Sequence, residues 1–227
     1  MRELGTKVTP GLDEVTVDGE NVGGTLPSRV YWLMNKPDNC LTVVGDEFER
    51  PTIYDVTKLR TVRFRVYPIG RLDYRTEGLL LLTNDGDLLN HMGKKGAAYQ
   101  RQYHVLLSGR LDDEAEAKIR KGEIKLEDGP VGKAEIRFAH GRELGASRGS
   151  WYVLTLNESR NRLVRRIFEH FNMKVVRMIR VGFAGLELGE DLKAGEYRQL
   201  SPDEIRELRR TIGMRRSPKS AAPADEA

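Results

Sequence analysis

Ile69–Gly86, IGRLDYRTEGLLLLTNDG, is the stretch on which the reading of this chain turns. Gly70 permits a tight turn after Tyr67-Pro68-Ile69. Arg71, Leu72 and Asp73 then follow as cation, apolar residue and carboxylate. Gly78–Thr83 is an apolar run of strand length, closed by the turn signal Asn84-Asp85-Gly86. Asp73 is thereby predicted in a loop held at both ends by apolar elements, the kind of rigid frame on which catalytic groups are carried. The plainer alternative is that Asp73 pairs with Arg71 or caps a turn. This stretch alone leaves both open.

Outward from it, Val30–Asn35 reads as a strand running into Lys36-Pro37, and Cys40–Val44 as a second strand. Asp85 is placed to cap a helix to about Met92, with Leu88, Leu89 and Met92 on one face. Gln102–Ser108 is a strand, and Asp112–Lys121 a helix with acids first, bases last and Gly122 after it. Ile124–Leu126 and Lys133–Phe138 are strands either side of a turn at Asp128-Gly129-Pro130. Trp151–Leu156 and Lys174–Phe183 are strands, Asn161–Phe171 a helix, and Asp203–Ile212 a last helix started by Pro202. Upstream, Lys7–Thr9 and Val15–Gly19 read as short strands around Pro10-Gly11, too little to bury a core unaided. From Met214 the chain loses apolar periodicity and is expected to be disordered. Strands mixed with short helices, without a βαβ rhythm, predict an α+β fold around a largely antiparallel sheet.

The 227 residues are 32% charged and 39% hydrophobic, which suits a soluble globular chain. No apolar run approaches membrane-spanning length, and the N-terminus has no signal-peptide core. A single Cys40 excludes an intrachain disulfide, no Cys/His cluster suits a metal, and a reducing cytoplasm is expected. Charge is uneven. From Arg160 to Arg180 seven Lys/Arg against the single Glu169 give +6, which leaves −2 for the rest of a chain whose net is +4. That block points to a polyanion partner, unless it is a solvated helix face.

Within the block, Val164, Ile167, Phe168 and Phe171 form one helical stripe that must face the core. Arg162, Arg165 and Arg166 stand at i, i+3 and i+4 and share another face. With Asn161 ahead of them and a helix start beneath, they suit phosphate or carboxylate recognition. A framed carboxylate and an arginine-rich helix together suggest an acid/base or nucleophilic enzyme acting on RNA or DNA. The sequence has no phosphate-binding GxxxxGK[ST] loop and no Gly-x-Ser-x-Gly elbow. A paired-carboxylate glycosidase would need a second acid, for which Glu77 and Asp85 are candidates only by sequence proximity.

GRLDYRTEGLLLLTNDGDL resembles the GRLD-x-x-T-x-GLLLLTNDG signature of the RsuA/RluB-type ribosomal RNA pseudouridine synthases. Further segments resemble that family: Val30–Pro37, Arg50-Pro51-Thr52, Gln100–Val105, Asn157–Phe168 and Gly195–Leu200. Ser159 and Leu163 depart from it, standing where the family has Gly and Gln. The resemblance implies a pseudouridine synthase catalytic domain over residues 29–213, preceded by a partial S4-like RNA-binding segment at 1–24 and a linker at 25–28, with a tail at 214–227. It implies isomerisation of a uridine to pseudouridine without cofactor or metal. The substrate would be ribosomal RNA or a pre-ribosomal particle, 23S favoured over 16S, acted on by a monomer. Asp73 would be nucleophile or base, Arg165 its partner, and Tyr103 would stack on the flipped base. Arg71 would hold the nucleotide and Val164 pack under the uracil, while Arg160, Asn161, Arg162 and Arg166 would contact RNA. The alternatives are a non-catalytic RNA-binding module and a hydrolase that releases uracil.

Overall fold

The computed structural model describes residues 13–21, 28–62, 65–95, 99–140, 144 and 148–214. The expected strand Lys7–Thr9, the turn after it, most of the linker and nearly all of the tail lie outside them. Strands β1 (Thr16–Val17) and β2 (Glu20–Asn21) form a hairpin through Asp18 and Gly19. The main sheet is built from β3 (Tyr31–Lys36), β4 (Tyr67–Ile69), β5 (Glu77–Thr83) and β6 (Arg101–Leu107), with α1 (Gly86–Lys95) between the last two. Helix α2 (Asp113–Lys121) and a hairpin of β7 (Lys125–Leu126) and β8 (Gly129–Pro130) come next. Then follow β9 (Glu135–Ala139), β10 (Ser150–Leu156), α3 (Leu163–Glu169), β11 (Val175–Phe183), β12 (Leu186–Glu187), β13 (Tyr197–Gln199) and α4 (Pro202–Thr211). The fold is α+β, and among the described residues no helix is long and apolar enough to cross a membrane.

The nine-stranded sheet runs β13-β3-β5-β11-β6-β10-β9, with β4 on β5 and β12 on β11. Every pairing is antiparallel except the seam between β5 and β11, where Ile179 meets Glu77 and Arg180 meets Gly78. Gly78 is required there. Its φ is 101°, and a Cβ would stand 2.3 Å from the Arg180 carbonyl oxygen. On one side of the seam, Leu79 and Leu81 pack with Leu88, Met92 and Leu208, while Leu80 and Leu82 pack on the other face with Trp32, Cys40 and Ile53. Burial on both faces explains the unbroken leucine run. On the other side of the seam, Val105, Tyr152 and Leu154 meet α2 and α3 through Ile119, Ile167 and Phe168.

Local sequence accounts for the helix ends. Asp85 Oδ1 accepts from the backbone N–H of Asp87 and Leu88. Asp112 caps α2, whose end is left-handed Gly122. Ser201 and Glu204 form a capping box on α4. Three expectations are corrected. Cys40–Val44 is a loop, not a strand, because β5 and β13 already occupy both edges of β3; Leu41 makes only one bridge, to Thr52. Gly129 and Pro130 are strand residues paired with Leu126 and Lys125, so the turn falls at Glu127-Asp128. The helix expected at Asn161–Phe171 is only Leu163–Glu169, because Arg162 takes a left-handed φ of 49° and turns the chain before the helix begins.

Candidate active site

The loop between β4 and β5 faces the start of α3 across a two-lobed cleft. The inner lobe, about 70 Å³, is lined by Arg71, Asp73, Tyr103, Arg160, Val164 and Met178 among others. The outer lobe, about 290 Å³, is lined by Leu41–Val43, Arg71, Asp73, Tyr74, Asn161 and Arg162. Asp73 belongs to both, and its side chain is 34% exposed, so it can meet a substrate.

The loop is held by its carbonyls. Lys36, at the end of β3, is wholly buried, and its Nζ donates to the carbonyls of Tyr74 (3.3 Å), Thr76 (2.9 Å) and its neighbour Pro37 (3.0 Å). Burial pushes the Lys36 ammonium below its ordinary value, partly offset by the Cys40 thiol beside it. The Thr42 hydroxyl donates to the Leu72 carbonyl at 3.3 Å, and the Thr76 N–H to the Asp73 carbonyl at 3.0 Å.

Arg165 closes the far side. Its Nη2 donates to the Arg75 carbonyl (2.8 Å) and its Nη1 to the Val175 carbonyl (3.2 Å). This leaves Nε at 3.8 Å from Asp73 Oδ2, an ion pair without a hydrogen bond. Burial pushes Arg165 down, and Asp73 offsets that push. Arg165, not Arg71, is therefore the cation paired with Asp73 among the described residues. Arg71 is exposed and lines both lobes.

Tyr103 comes up from β6 beside Asp73, 8% exposed, with Val164 and Leu163 of α3 across from it. Beneath it is a group that sequence reading missed. Arg180, opposite Tyr103 in the β6·β11 register, is buried and donates from Nε to the Leu79 carbonyl at 2.8 Å. Burial pushes the Arg180 guanidinium down and the neighbouring Tyr103 phenol favours its charge.

The basic block is not the free cationic face that its spacing suggests. Arg165 points inward. Arg160 Nη1 and Arg166 Nη2 each donate to Asp128 at 2.8 Å, on the β7–β8 hairpin. Arg160 also reaches the Pro130 carbonyl at 3.0 Å and Glu158 at 3.2 Å. Arg177 binds Glu77 through two 2.7 Å hydrogen bonds. Arg162 is half exposed, 3.4 Å from Glu169. Arg162, Arg165 and Arg166 thus do not share one face, and Arg166 does not line the cleft. Asn161, Arg162 and Arg160 do.

The acids considered as second carboxylates are elsewhere. Glu77 is held by Arg177, and Asp85 is buried at the opposite end of β5 under Tyr31 (2.7 Å) and Arg29 (3.2 Å). Glu158 is the other acid lining the inner lobe, and its Oε1 accepts from the Gly132 N–H at 2.7 Å. Among the described residues no group of His, Cys, Asp and Glu could hold a metal ion. A Lys before a Pro, a lone Asp in a hairpin and an Arg within a strand carry no local signal, so Lys36, Asp128 and Arg180 became visible only through long-range contacts. The arrangement offers a partly exposed carboxylate with a cation 3.8 Å from its edge, and a phenol on an apolar wall. That is a site for nucleophilic or basic attack on a planar substrate.

The family model for RNA pseudouridylate synthase matches residues 30–170. A ribosomal large subunit pseudouridine synthase B from Bacillus subtilis is 37% identical over 210 residues, covering 92% of this chain and 82% of that protein. An uncharacterized RNA pseudouridine synthase from Aquifex aeolicus is 35% identical over 221 residues, 96% of this chain and 84% of that protein. The large subunit synthase B of Escherichia coli K12 is 34% identical, covering 92% of this chain and 70% of that protein. Among solved structures, a crystal structure of a pseudouridylate synthase superposes with a TM-score of 0.68 at 26% identity, over 89% of this chain and 83% of that one.

Proposed function

The chain belongs to the RNA pseudouridylate synthase family, and from that membership we propose that it converts one uridine of large-subunit (23S) ribosomal RNA to pseudouridine at Asp73. The observation that carries the site assignment is Asp73 itself: partly exposed at the junction of the two lobes, with Arg165 at 3.8 Å and Tyr103 lining the same inner lobe. The large-subunit target rests on the relatives named for that subunit.

Conversion breaks the N1–C1′ bond, turns the uracil over and forms a C5–C1′ bond, while the C5 proton is lost and N1 gains one. Those atoms are out of reach in a stacked helix, so the nucleotide has to flip out, at a cost of a few kcal/mol. The outer lobe receives it, with Arg71, Asn161 and Arg162 on its rim. The base enters against Val164 and Tyr103, whose ring stacks on it. Asp73 begins the reaction, as nucleophile at the ribose or as base, and the Arg165 ion pair orients its carboxylate. Arg160 is reached by a phosphate in exchange for Asp128 and Glu158. The hairpin β1–β2 belongs to an S4-like segment that adds RNA contact ahead of the catalytic domain.

The test is to incubate unmodified 23S and 16S transcripts with the protein and map pseudouridine by carbodiimide modification and primer extension. The wild type modifies one uridine of 23S RNA. Asp73→Asn binds the same RNA within about threefold and converts it at least 10³-fold more slowly, about 4 kcal/mol of barrier. Equal conversion by the two proteins refutes the role of Asp73, and a stop in 16S RNA alone refutes the target.

A further inference from the structure

The pairing of the basic block raises a question of where grip on RNA comes from, and the loop at residues 41–52 offers an answer. Phe48 is 78% exposed, the most exposed large apolar side chain among the described residues, and Val44 in the same loop is 40% exposed. An exposed aromatic ring is free to take a flat apolar partner. Phe48 is also held firmly. The Asp46 carboxylate accepts from the N–H groups of Phe48 (3.2 Å) and Arg50 (3.1 Å) and from Arg50 Nε (3.0 Å) and Nη2 (2.7 Å). That clamp lays the Arg50 guanidinium 5.4 Å from the centre of the Phe48 ring.

The position is also specific. Leu41 N–H donates to the Pro51 carbonyl and Ile53 N–H to the Leu41 carbonyl, both at 2.8 Å, so the loop is anchored at Leu41. Leu41, Thr42 and Val43 line the outer lobe beside Asp73 and Tyr74. The Asp46 carboxylate hydrogen-bonded to the Arg50 guanidinium raises it above its ordinary value. An aromatic ring with a guanidinium against it, on a loop whose first residues line the outer lobe, has the chemistry of a base-stacking platform.

We propose that Phe48 and Arg50 form a stacking site for an unpaired nucleobase neighbouring the uridine in the cleft. The proposal rests on the reading of this chain as acting on RNA. It assigns the loop a ligand class, an unstacked base in a single-stranded stretch, and a form of grip that does not depend on phosphate charge.

The experiment measures binding of a fluorescein-labelled oligouridylate of about ten nucleotides by anisotropy, at several salt concentrations, for wild type, Phe48→Ala and Phe48→Trp. A fully base-paired RNA of similar length serves as the second probe. Because Phe48 is exposed, neither variant disturbs the core, and thermal unfolding checks this. Phe48→Ala weakens single-strand binding about tenfold, within the range of one lost stacking contact. Phe48→Trp restores it, the slope of log K against log salt is unchanged, and duplex binding moves less than twofold. Single-strand binding by Phe48→Ala within twofold of wild type overturns the proposal, as does no wild-type binding to the single strand. A concentration-dependent dimer in gel filtration that Phe48→Ala dissolves also overturns it, since the ring then covers a second copy of the chain. A wild type that binds through Phe48 yet forms no pseudouridine in either rRNA supports the platform and refutes the function proposed above.

Discussion

The loop at residues 71–76 and the arginine-rich stretch at 160–180 face each other across the cleft, and they behave in opposite ways. The loop carries one acid and is held almost wholly through backbone carbonyls, by Lys36, Thr42 and Arg165. The stretch carries seven cations, and most are already spoken for: Arg160 and Arg166 by Asp128, Arg165 by carbonyls and Asp73, Arg177 by Glu77, Arg180 by the Leu79 carbonyl. The role proposed for Asp73 needs its direction fixed while its oxygens stay open, and backbone clamps suit that. A block of like charge in a folded domain repels itself, and internal acids relieve that strain. Net charge along a sequence therefore overstates the charge a nucleic acid would meet.

The sharpest way to break this contrast is Lys36→Met. It leaves the Tyr74 and Thr76 carbonyls without their buried donor and should cost about 2–4 kcal/mol in urea unfolding. Pseudouridine formation should fall by more than 10²-fold at temperatures where the variant is still folded, since the loop then wanders. A variant with wild-type midpoint and wild-type rate would show that the loop does not depend on this clamp. A smaller effect sharpens the other half. Asp128→Asn releases Arg160 and Arg166, so RNA binding should tighten a few-fold at low salt, and the slope of log K against log salt should steepen by about one to two. Looser binding with an unchanged slope would mean that the Asp128 contacts serve only to hold the β7–β8 hairpin in place.

What the sequence made legible follows the range of the forces involved. The leucine run, the Asp85 and Asp112 caps, Gly122 and the amphipathic core stripe at Val164, Ile167 and Phe168 are local patterns, and each is present as expected. The α+β class and the family follow from those patterns and from the GRLD stretch. The helical face of Arg162, Arg165 and Arg166 failed for a local reason, the left-handed Arg162. The strand at Cys40–Val44 failed for a global one: its propensity had no sheet edge to satisfy. Asp73 and Arg165 were brought together in the sequence reading by family resemblance, not by spacing. Nothing local in Lys36 or Arg180 marks a side chain that will be buried against carbonyls of another segment.

The two-residue parallel seam at Gly78 and Arg180 has a consequence in time. It joins positions about a hundred residues apart, which makes it among the slowest kinds of contact to form. One side of it, from β6 to β11, is contiguous in the chain and encloses its own core. The other side is complete only when β13 has returned to β3 and Arg209 has reached the Tyr31 hydroxyl. Tyr103 and Arg165 belong to the first unit, and the Asp73 loop to the second, where Lys36 and Thr42 hold it and Arg165 reaches it across the seam. The two tryptophans divide in the same way, Trp151 on β10 and Trp32 on β3. In stopped-flow refolding of single-tryptophan variants, Trp151 should regain native fluorescence before Trp32, with identical rates at every denaturant concentration counting against this order. In that order, the carboxylate proposed to act comes into line with Arg165 only in the last step of folding.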